Sequence, residues 1–343
     1  QTLIDKGYAY EKNGTVYFST RKFKDYGKLS HKNLDDLRSG GRSLLVSGED
    51  EKEDPLDFVL WKPKKEGEPF WKSPWSDGRP GWHIECSVMS RKYLGEQIDI
   101  HAGGEDLIFP HHENEIAQSE AANGKEFARY WMHNAFLNID NRKMSKSLGN
   151  FRTVREISEQ YDLQVLRFFM LSAHYRSPLN FSADLMAAAK NGLDRILTAA
   201  ERLHDLADAA EGSMTDAEKE NFAASKEYVE KFEAAMEDDA NTADAVSAVF
   251  ELVKFINVNS SEQNSKEYLQ ALYQRLETLC DVLGIIIEKK EEILDSDIEA
   301  LIAERQAARK EKNFARADEI RDTLLEQGII LEDTREGVKW KRA

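Results

Sequence analysis

The hydrophobic pattern changes near residue 176, and this change constrains the fold more than any other feature of the chain. Before it, segments such as GTVYFST, FVLWKPKK and YWMHNAFLNID predict strands, and a helical stretch follows Pro110. Beyond Pro178 there are no further prolines, alanine becomes frequent, and segments such as NTADAVSAVFELVKFI space apolar residues as in a helix. The sequence therefore predicts an α/β domain over residues 1–175 and an α-helical bundle over residues 176–292.

The remaining residues, 293–343, are predicted to form a third, small α+β domain. The segment SDIE has the form of a capping box, and the helix that it opens should extend to about Lys312. A second helix should run from Phe314 to Gly328, where the glycine can end it. The segment IILEDTREGVKW then predicts a strand, a turn and a second strand.

The distribution of charge is as informative as its total. The chain carries a net charge of −16 at pH 7, and residues 201–300 alone hold 25 acidic and 9 basic side chains. The excess acid therefore lies in one block, which we interpret as the solvated outer face of the bundle. The parts on either side are balanced in charge, so local basic surface for a nucleic-acid partner is compatible with the composition.

The two cysteines, Cys86 and Cys280, exclude a disulfide-stapled secreted scaffold. No apolar run approaches the ~18 residues of a membrane span, and the first residues do not have the pattern of a signal peptide. We therefore expect a cytoplasmic, monomeric protein that does not interact with membranes.

Two lysines three residues apart, Lys143 and Lys146, lie in the segment RKMSKSLGN among small hydroxyl residues and just before a glycine. A loop of this composition can bring ammonium groups and backbone N–H donors onto phosphates. The alternative interpretation is a basic surface loop without a ligand.

A second set of residues has the chemistry of metal ligands. Cys86 ends the segment GWHIEC, and FPHHENE follows 25 residues later. His111 and Glu115 are four residues apart and project from the same face of a helix, although His112 with Glu115 fits nearly as well from spacing alone. Thiolate, imidazole and carboxylate are good zinc ligands. The alternative is a polar surface helix and an inert buried cysteine.

The order of these segments closely resembles the cysteinyl-tRNA synthetase family of class I aminoacyl-tRNA synthetases. The resemblance is carried by GWHIEC, DIHAGGEDLIFPHHENEIAQSEA and YWMHNAFLNIDNRKMSKSLGN, and it extends from YGKLS to the tail ARKEKNFARADEIRDTLLEQGIILEDTREGVKW. It implies the C-terminal portion of a Rossmann-like class I catalytic domain, followed by a helical bundle and an anticodon-binding domain. It also implies ATP-dependent activation of cysteine and its transfer to tRNA(Cys), with ATP bound together with Mg²⁺.

The resemblance assigns roles to individual residues. One Zn²⁺ per chain would be held by Cys86, His111 and Glu115 and would bind the thiolate of the substrate cysteine, which a hydroxyl cannot imitate. Lys146, together with Lys143, would stabilise the pyrophosphate leaving group. Two further sets are implied: Trp82 and His101 in the amino-acid pocket, and Gly103, Gly104 and Asp106 at the nucleotide ribose.

The resemblance also assigns the tail to recognition of the anticodon GCA, whose bases present donors that acceptor side chains can read. The candidates for base contacts are Arg309, Asp318 and Asp333, with ordinary surface charge as the alternative. The aromatic residues Phe314 and Trp340 are expected to lie in the core of this small domain, with stacking on splayed bases as the alternative.

Two features of the family are not found in this sequence. None of its eight histidines lies in a HIGH-type motif, and the zinc-ligand cysteine that the family supplies from the same N-terminal region is not present. The resemblance therefore implies a truncated catalytic domain of uncertain activity by itself. The alternatives are a related cysteine ligase of amino-sugar thiol biosynthesis, which should lack the anticodon-binding tail, and a non-catalytic tRNA-binding fragment.

Overall fold

A computed structural model describes residues 1–33, 51–144, 149–150, 152–288, 295–311, 313–334 and 337–342. Within these residues the chain forms three separate hydrophobic cores. They lie, in chain order, in the N-terminal α/β region, in the helical region and in the tail. The three predicted structural classes therefore occur in the predicted order.

Four short strands near the start of the chain form an antiparallel sheet. A one-turn helix, α1 (Thr2–Asp5), precedes β1 (Ala9–Lys12), β2 (Thr15–Phe18), β3 (Phe58–Pro63) and β4 (Gly78–Pro80), which are hydrogen-bonded in that order. Strand β2 is buried along its whole length, and Phe18 stacks on Phe58 with ring centroids 4.9 Å apart. The strands predicted in GTVYFST and FVLWKPKK are confirmed.

A β–α–β unit follows and carries most of the candidate site residues. Its elements, preceded by helix α2 (Trp82–Leu94), are β5 (Ile98–Gly104), α3 (Glu113–Asn123) and β6 (Ala128–Asn134). Strands β5 and β6 pair in parallel, with His101 opposite Trp131 and Gly103 opposite His133. The carboxyl ends of parallel strands are where ligands bind in open α/β sheets.

Three short strands connect this unit to the helical region. They are β7 (Leu137–Ile139), β8 (Arg142–Lys143) and β9 (Leu179–Phe181), in the order β8-β7-β9. Helices α4 (Val154–Ser158) and α5 (Leu163–Leu171) lie between β8 and β9 in the chain. Thr153 and Glu156 form a capping box on α4.

Five helices form the predicted bundle: α6 (Ala183–Ala209), α7 (Asp216–Ala224), α8 (Lys226–Glu237), α9 (Thr242–Asn259) and α10 (Lys266–Leu283). Leu203, Leu252 and Leu272 are fully buried in its core. Val165 and Phe168 of α5 belong to the same core. The apolar core thus reaches back across residue 175, and the domain boundary at that position stays a prediction.

The tail consists of helices α11 (Asp295–Lys310) and α12 (Phe314–Glu326) and an antiparallel hairpin of β10 (Ile329–Thr334) and β11 (Gly337–Arg342). This confirms the predicted α+β unit. Helix α11 ends two residues before the expected Lys312, and Gly328 has the left-handed φ of +74° expected after a helix. Trp340 packs against the core of the tail as predicted. The prediction for Phe314 was wrong, because its position at the start of α12 leaves it 61% exposed.

Across the parts of the chain that the structure describes, no helix combines the length and the apolar character needed to cross a bilayer.

Candidate active site

Three predicted metal ligands meet beside helix α3. Cys86 lies on α2, His111 lies in the irregular turn that leads into α3, and Glu115 lies in the first turn of α3. One ligand atom from each lies within 4.8 Å of the others, a spacing compact enough for a single ion. His111 and Glu115 are almost fully buried, and Cys86 is half-buried.

A second group shares the same carboxylate. The ligand atoms of His101, His112 and Glu115 also lie within 4.8 Å of one another. The Oε1 atom of Glu115 lies 2.6 Å from Nε2 of His111, and Oε2 lies 2.7 Å from Nε2 of His101. Both alternatives that the spacing left open are therefore near Glu115: His111 on the side of Cys86, and His112 on the side of His101.

The electrostatics of Glu115 suit a cation ligand. Burial by itself raises the pKa of this carboxyl, but the contacts with His101 and His111 outweigh burial and lower it to about 2, so the group is anionic at neutral pH. Among the described residues, no donor is aligned to hydrogen-bond with either carboxylate oxygen, and the buried Nε2 of His101 has no aligned partner either. A metal ion would satisfy these buried atoms.

The pKa of the Cys86 thiol is shifted in the opposite direction to that of Glu115. Burial, followed by the negative charges of Glu115 and Glu85, raises its pKa. A bound cation reverses this effect, because coordination favours the deprotonated thiolate. The donor set of thiolate, imidazole and carboxylate fits zinc.

Two further histidines support the candidate ligands, and sequence reasoning missed both. Nδ1 of His83 lies 2.8 Å from Nδ1 of His111, and Nε2 of His133 lies 2.8 Å from Nδ1 of His112. Burial lowers the pKa of His83 to about 4, so its ring is neutral and its Nδ1 can accept a hydrogen bond from Nδ1–H of His111. Such contacts orient ligand imidazoles. The sequence feature that could have identified His83 is its position three residues before Cys86, which places both on the same face of one helix.

Helix α3 also holds the YGKLS segment on its other side. The buried carboxylate of Glu113 accepts hydrogen bonds from the backbone N–H groups of Gly27 (2.9 Å) and Ser30 (2.8 Å). Lys28 forms an ion pair with Glu120 at 2.7 Å. One helix therefore presents carboxylates to the candidate metal site and to a neighbouring loop.

The predicted pocket residues lie around the same site. Trp82 is 65% exposed, and its ring centroid lies 4.7 Å from that of His111. His101 packs edge-on against Trp131 at 4.8 Å and directs its Nε2 toward Glu115. His101 is thus brought into the metal-ligand cluster itself.

The predicted ribose residues lie at the carboxyl end of strand β5, where Gly103 and Gly104 end the strand and Asp106 follows it. A Cβ atom at Gly103 would lie 2.8 Å from the ring of His112, and one at Gly104 would lie 2.4 Å from Oδ1 of Asp106. Glycine is needed at Gly103 because the buried ring of His112 cannot move aside, whereas at Gly104 the near atom belongs to the exposed side chain of Asp106, which can shift. Asp106 itself is exposed in the short turn after β5.

The lysine-rich segment begins at strand β8, whose Lys143 pairs with Asn138. The backbone N–H of Met144 donates to the carbonyl of Leu137 at 3.4 Å. Lys146 lies outside the described residues, so its predicted role stays a prediction.

The predicted anticodon residues are distributed over the tail. Arg309 is exposed in the last turn of α11, and Asp318 is exposed on α12. Asp333 lies on β10, where its backbone is paired with Val338. Their predicted base contacts are not tested by this geometry.

Comparison with known proteins decides the family. Residues 1–191 match the class I (C) tRNA synthetase catalytic domain, residues 231–288 match the DALR domain, and residues 292–340 match the cysteinyl-tRNA ligase anticodon-binding domain. A cysteine–tRNA ligase of Lachnospira eligens is 72% identical over 348 residues, covering 100% of this chain and 74% of the relative. The chain belongs to the cysteine–tRNA ligase family.

Other cysteine–tRNA ligases give the same result. That of Lachnoclostridium phytofermentans is 64% identical, covering 100% of this chain and 74% of its own length, and that of Clostridioides difficile is 57% identical, covering 99% and 73%. The chain thus spans about three quarters of these relatives. The predicted resemblance and fold class are confirmed: a class I catalytic domain is followed by a helical domain and an anticodon-binding domain.

Solved structures agree on the fold alone. The Agrobacterium radiobacter LeuRS, in a ternary complex with tRNA and LeuAMS, has a TM-score of 0.51 and 14% identity, covering 66% of this chain and 32% of that one. An arginyl-tRNA synthetase homologue of Campylobacter jejuni has a TM-score of 0.50 and 15% identity, covering 84% and 60%. The cysteine–tRNA ligase fold is therefore shared with synthetases of very different sequence.

Proposed function

We propose that this member of the cysteine–tRNA ligase family activates cysteine with ATP, as cysteinyl-adenylate, and transfers the cysteine to the terminal ribose of tRNA(Cys). The observation that carries the proposal is the cluster of Cys86, His111 and Glu115 beside the carboxyl ends of β5 and β6, in a chain whose last residues match an anticodon-binding domain. The first feature suits a thiol substrate, and the second suits a tRNA.

In this proposal Cys86, His111 and Glu115 hold one Zn²⁺, and His83 orients the imidazole of His111. When bound, zinc would favour the thiolate of cysteine over the hydroxyl of serine. The exposed ring of Trp82 lies against that of His111 and is available to contact the substrate. His101 and His112 border the same site from β5 and from the turn before α3.

The nucleotide is assigned to the carboxyl end of β5. Gly103 and Gly104 lie next to the ring of His112 and the carboxylate of Asp106, and the exposed carboxylate can accept hydrogen bonds from ribose hydroxyl groups. Lys143 and Lys146 are assigned to the phosphates of ATP, bound with Mg²⁺, and to the pyrophosphate leaving group. Their contribution is positioning and charge stabilisation.

In the tail, Arg309, Asp318 and Asp333 are proposed to contact the anticodon. A basic side chain and two carboxylates can serve phosphate and base donors respectively. We further propose that the enzyme works as a cytoplasmic monomer.

The amino-sugar ligase alternative is not favoured, because that enzyme would not need the domain matched by residues 292–340. A non-catalytic tRNA-binding role makes the opposite prediction in an exchange assay. The proposal is tested by cysteine-dependent ATP–pyrophosphate exchange and by charging of tRNA(Cys) with cysteine, with serine as the control amino acid in both assays. Exchange and charging with cysteine but not with serine are expected, and tRNA binding without exchange would contradict it.

A further inference from the structure

Asp239 connects the helical bundle to the segment that borders the candidate active site. It lies in the corner between α8 and α9, where Asp239 (φ +57°) and Ala240 (φ +53°) are both in the left-handed region that residues other than glycine adopt rarely. Its Oδ1 accepts a hydrogen bond from the hydroxyl of Tyr175 (2.7 Å), and its Oδ2 accepts one from Nε of Arg176 (2.5 Å). These two hydrogen bonds attach the corner between α8 and α9 to residues 174–181.

The segment that Asp239 holds, residues 174–181, reaches the end of strand β6. The carbonyl of Tyr175 accepts a hydrogen bond from the N–H of Ala135 (2.9 Å), which directly follows β6. The N–H of Leu179 donates to the carbonyl of Phe136 at 3.2 Å. A displacement of this segment would therefore move the chain that directly follows Asn134, the residue that pairs with Gly104 across the sheet.

The same segment also fixes the turn that leads into the lysine-rich loop. The side chain of Asn180 accepts a hydrogen bond from the N–H of Asn141 (2.7 Å), and the carbonyl of Phe181 accepts one from Asp140 (3.1 Å). Strand β8 begins at the next residue, Arg142. Both elements that flank the candidate nucleotide site are thus attached to one segment.

Asp239 and Arg176 form an ion pair at this connection. The Arg176 and Tyr175 side chains lower the pKa of Asp239, so its carboxylate is charged at neutral pH. The positive charge of Arg176 also acts on His133, whose pKa is lowered first by burial and then by Arg176. Both members of the Arg176–Asp239 pair are partly exposed, and exposed pairs contribute little to stability.

We propose that Asp239 is a positioning residue for cysteine activation. By holding residues 174–181 it lets the helical bundle set the position of the end of β6 and of the turn before the lysine-rich loop. This inference rests on the proposed function, because it assigns the residue a task in the activation step.

The test is ATP–pyrophosphate exchange by Asp239→Ala and Asp239→Asn, with kcat and the KM values for ATP and cysteine measured separately. We expect Asp239→Ala to lower kcat about ten- to a hundredfold, the scale of a small misplacement of reacting groups. The KM for cysteine should be unchanged, because Cys86, His111 and Glu115 are not attached to this segment. Asp239→Asn should lose less, since an amide oxygen still accepts from Tyr175 and asparagine tolerates the left-handed conformation.

Matched controls separate positioning from folding. Asp238→Ala removes the neighbouring exposed carboxylate, and Ala240→Gly relaxes the second left-handed residue; both should exchange at the unmodified rate. The exchanged pair, Asp239→Arg with Arg176→Asp, should recover part of the lost kcat. Thermal unfolding of every variant should stay close to that of the unmodified enzyme.

The outcomes distinguish this inference from the proposed function. If the unmodified enzyme exchanges pyrophosphate and both Asp239→Ala and Asp239→Asn keep its kcat, the inference alone is overturned. A parallel loss of kcat, cysteine affinity and thermal stability would also overturn it, because it would indicate a structural role. No exchange by the unmodified enzyme would overturn the proposed function and this inference together.

Discussion

Helices α3 and α10 differ in the side chains that they bury. Five of the eight buried residues of α3 are polar, and these are Glu113, Asn114, Glu115, Gln118 and Ser119. In α10 the buried set is largely apolar: Tyr268, Leu269, Leu272, Leu276, Leu279, Cys280 and Leu283. Burying polar groups is costly unless each finds a partner, whereas burying apolar surface stabilises the fold directly. The comparison indicates that α3 carries side chains that can bind a ligand, whereas the bundle mainly stabilises the fold.

The two cysteines show the same contrast. Cys280 is fully buried in the bundle core, and burial raises its pKa to about 12. Cys86 is half-buried and lies within reach of His111 and Glu115. A thiol surrounded by apolar side chains is inert, while one beside an imidazole and a carboxylate can bind a metal.

Substituting each cysteine gives the sharpest test of this comparison. Cys86→Ser should remove the bound zinc, because it takes away the only thiolate of the cluster. Cys280→Ser should keep the zinc and lower the melting temperature, since it places a hydroxyl in an apolar core. Elemental analysis and thermal unfolding measure the two effects. Full zinc occupancy in Cys86→Ser would contradict the ligand assignment.

Leu272→Ala should destabilise the bundle by about 2–5 kcal/mol, the range for removing a large side chain from a packed core. Its side chain is fully buried. Zinc content should not change. Denaturant unfolding measures the loss, and Leu185→Ala, at a 43% exposed position on α6, is the control with little expected effect. Equal losses from both variants would mean that the bundle core is not where the structure places it.

Lys146→Ala should slow cysteine-dependent ATP–pyrophosphate exchange by ~10²-fold or more, the scale for losing one transition-state charge contact. Zinc content and the KM for cysteine should stay the same, because the change removes a phosphate contact only. Lys190→Ala, a lysine of the bundle that pairs with Asp194, is the control. An unchanged exchange rate in Lys146→Ala would remove the lysine from the mechanism.

The tail should affect charging but not activation. Asp318→Ala, Asp333→Ala and Arg309→Ala should each weaken charging of tRNA(Cys) with the GCA anticodon by ~1–3 kcal/mol per lost contact. Arg309→Ala should also reduce the salt dependence if it contacts phosphate. Pyrophosphate exchange should be unaffected.

Asp322→Ala is the matched control for Asp318→Ala, because both are exposed carboxylates on α12. If the two variants charged tRNA(Cys) equally well, and altered anticodons were charged as well as GCA, the tail would be a structural cap.

The last prediction concerns Glu218, a buried carboxylate in the largely apolar helical bundle. Glu218 accepts hydrogen bonds from the backbone N–H groups of Thr215 and Ser265, both at 2.8 Å. These and neighbouring hydrogen bonds outweigh the effect of burial and lower its pKa to about 2. Because the folded pKa lies below the unfolded value of ~4.3, the stabilisation is complete above that value and disappears as the pH falls toward 2.

Glu218→Gln should therefore reduce the free energy of unfolding by ~1–3 kcal/mol at pH 7, the cost of impairing buried hydrogen bonds. The difference from the unmodified protein should vanish near pH 2. Chemical unfolding from pH 7 to pH 2 measures it, with the exposed neighbour Glu220→Gln as control. A constant difference across that range would show that the charge of Glu218 is not what stabilises this corner.

The success of sequence reasoning differed between the two regions for a physical reason. The long helices α6, α9 and α10 were predictable because each places apolar residues on one face, and burial of that face needs no particular partner. The short helix α7, whose buried residue is Glu218, has no such face and was not predicted. Helix α3 buries polar residues all around Ile116, Ala117 and Ala121, so periodicity could not show which of its residues are buried. Residue types and a family resemblance identified Cys86, His111 and Glu115, yet the same sequence left His112 open.

The sequence by itself determined the strands in GTVYFST and FVLWKPKK, the long apolar helices of the bundle, the helices and hairpin of the tail, the order of these units, the family and the types of residue that can bind a metal. Only the tertiary structure decided that His111 lies toward Cys86 and His112 toward His101. It alone brought His83 and His133 to these histidines and joined Asp239 to residues 174–181. The physical reason is that secondary structure follows from local spacing, whereas these contacts join residues far apart in the chain and depend on how the elements pack.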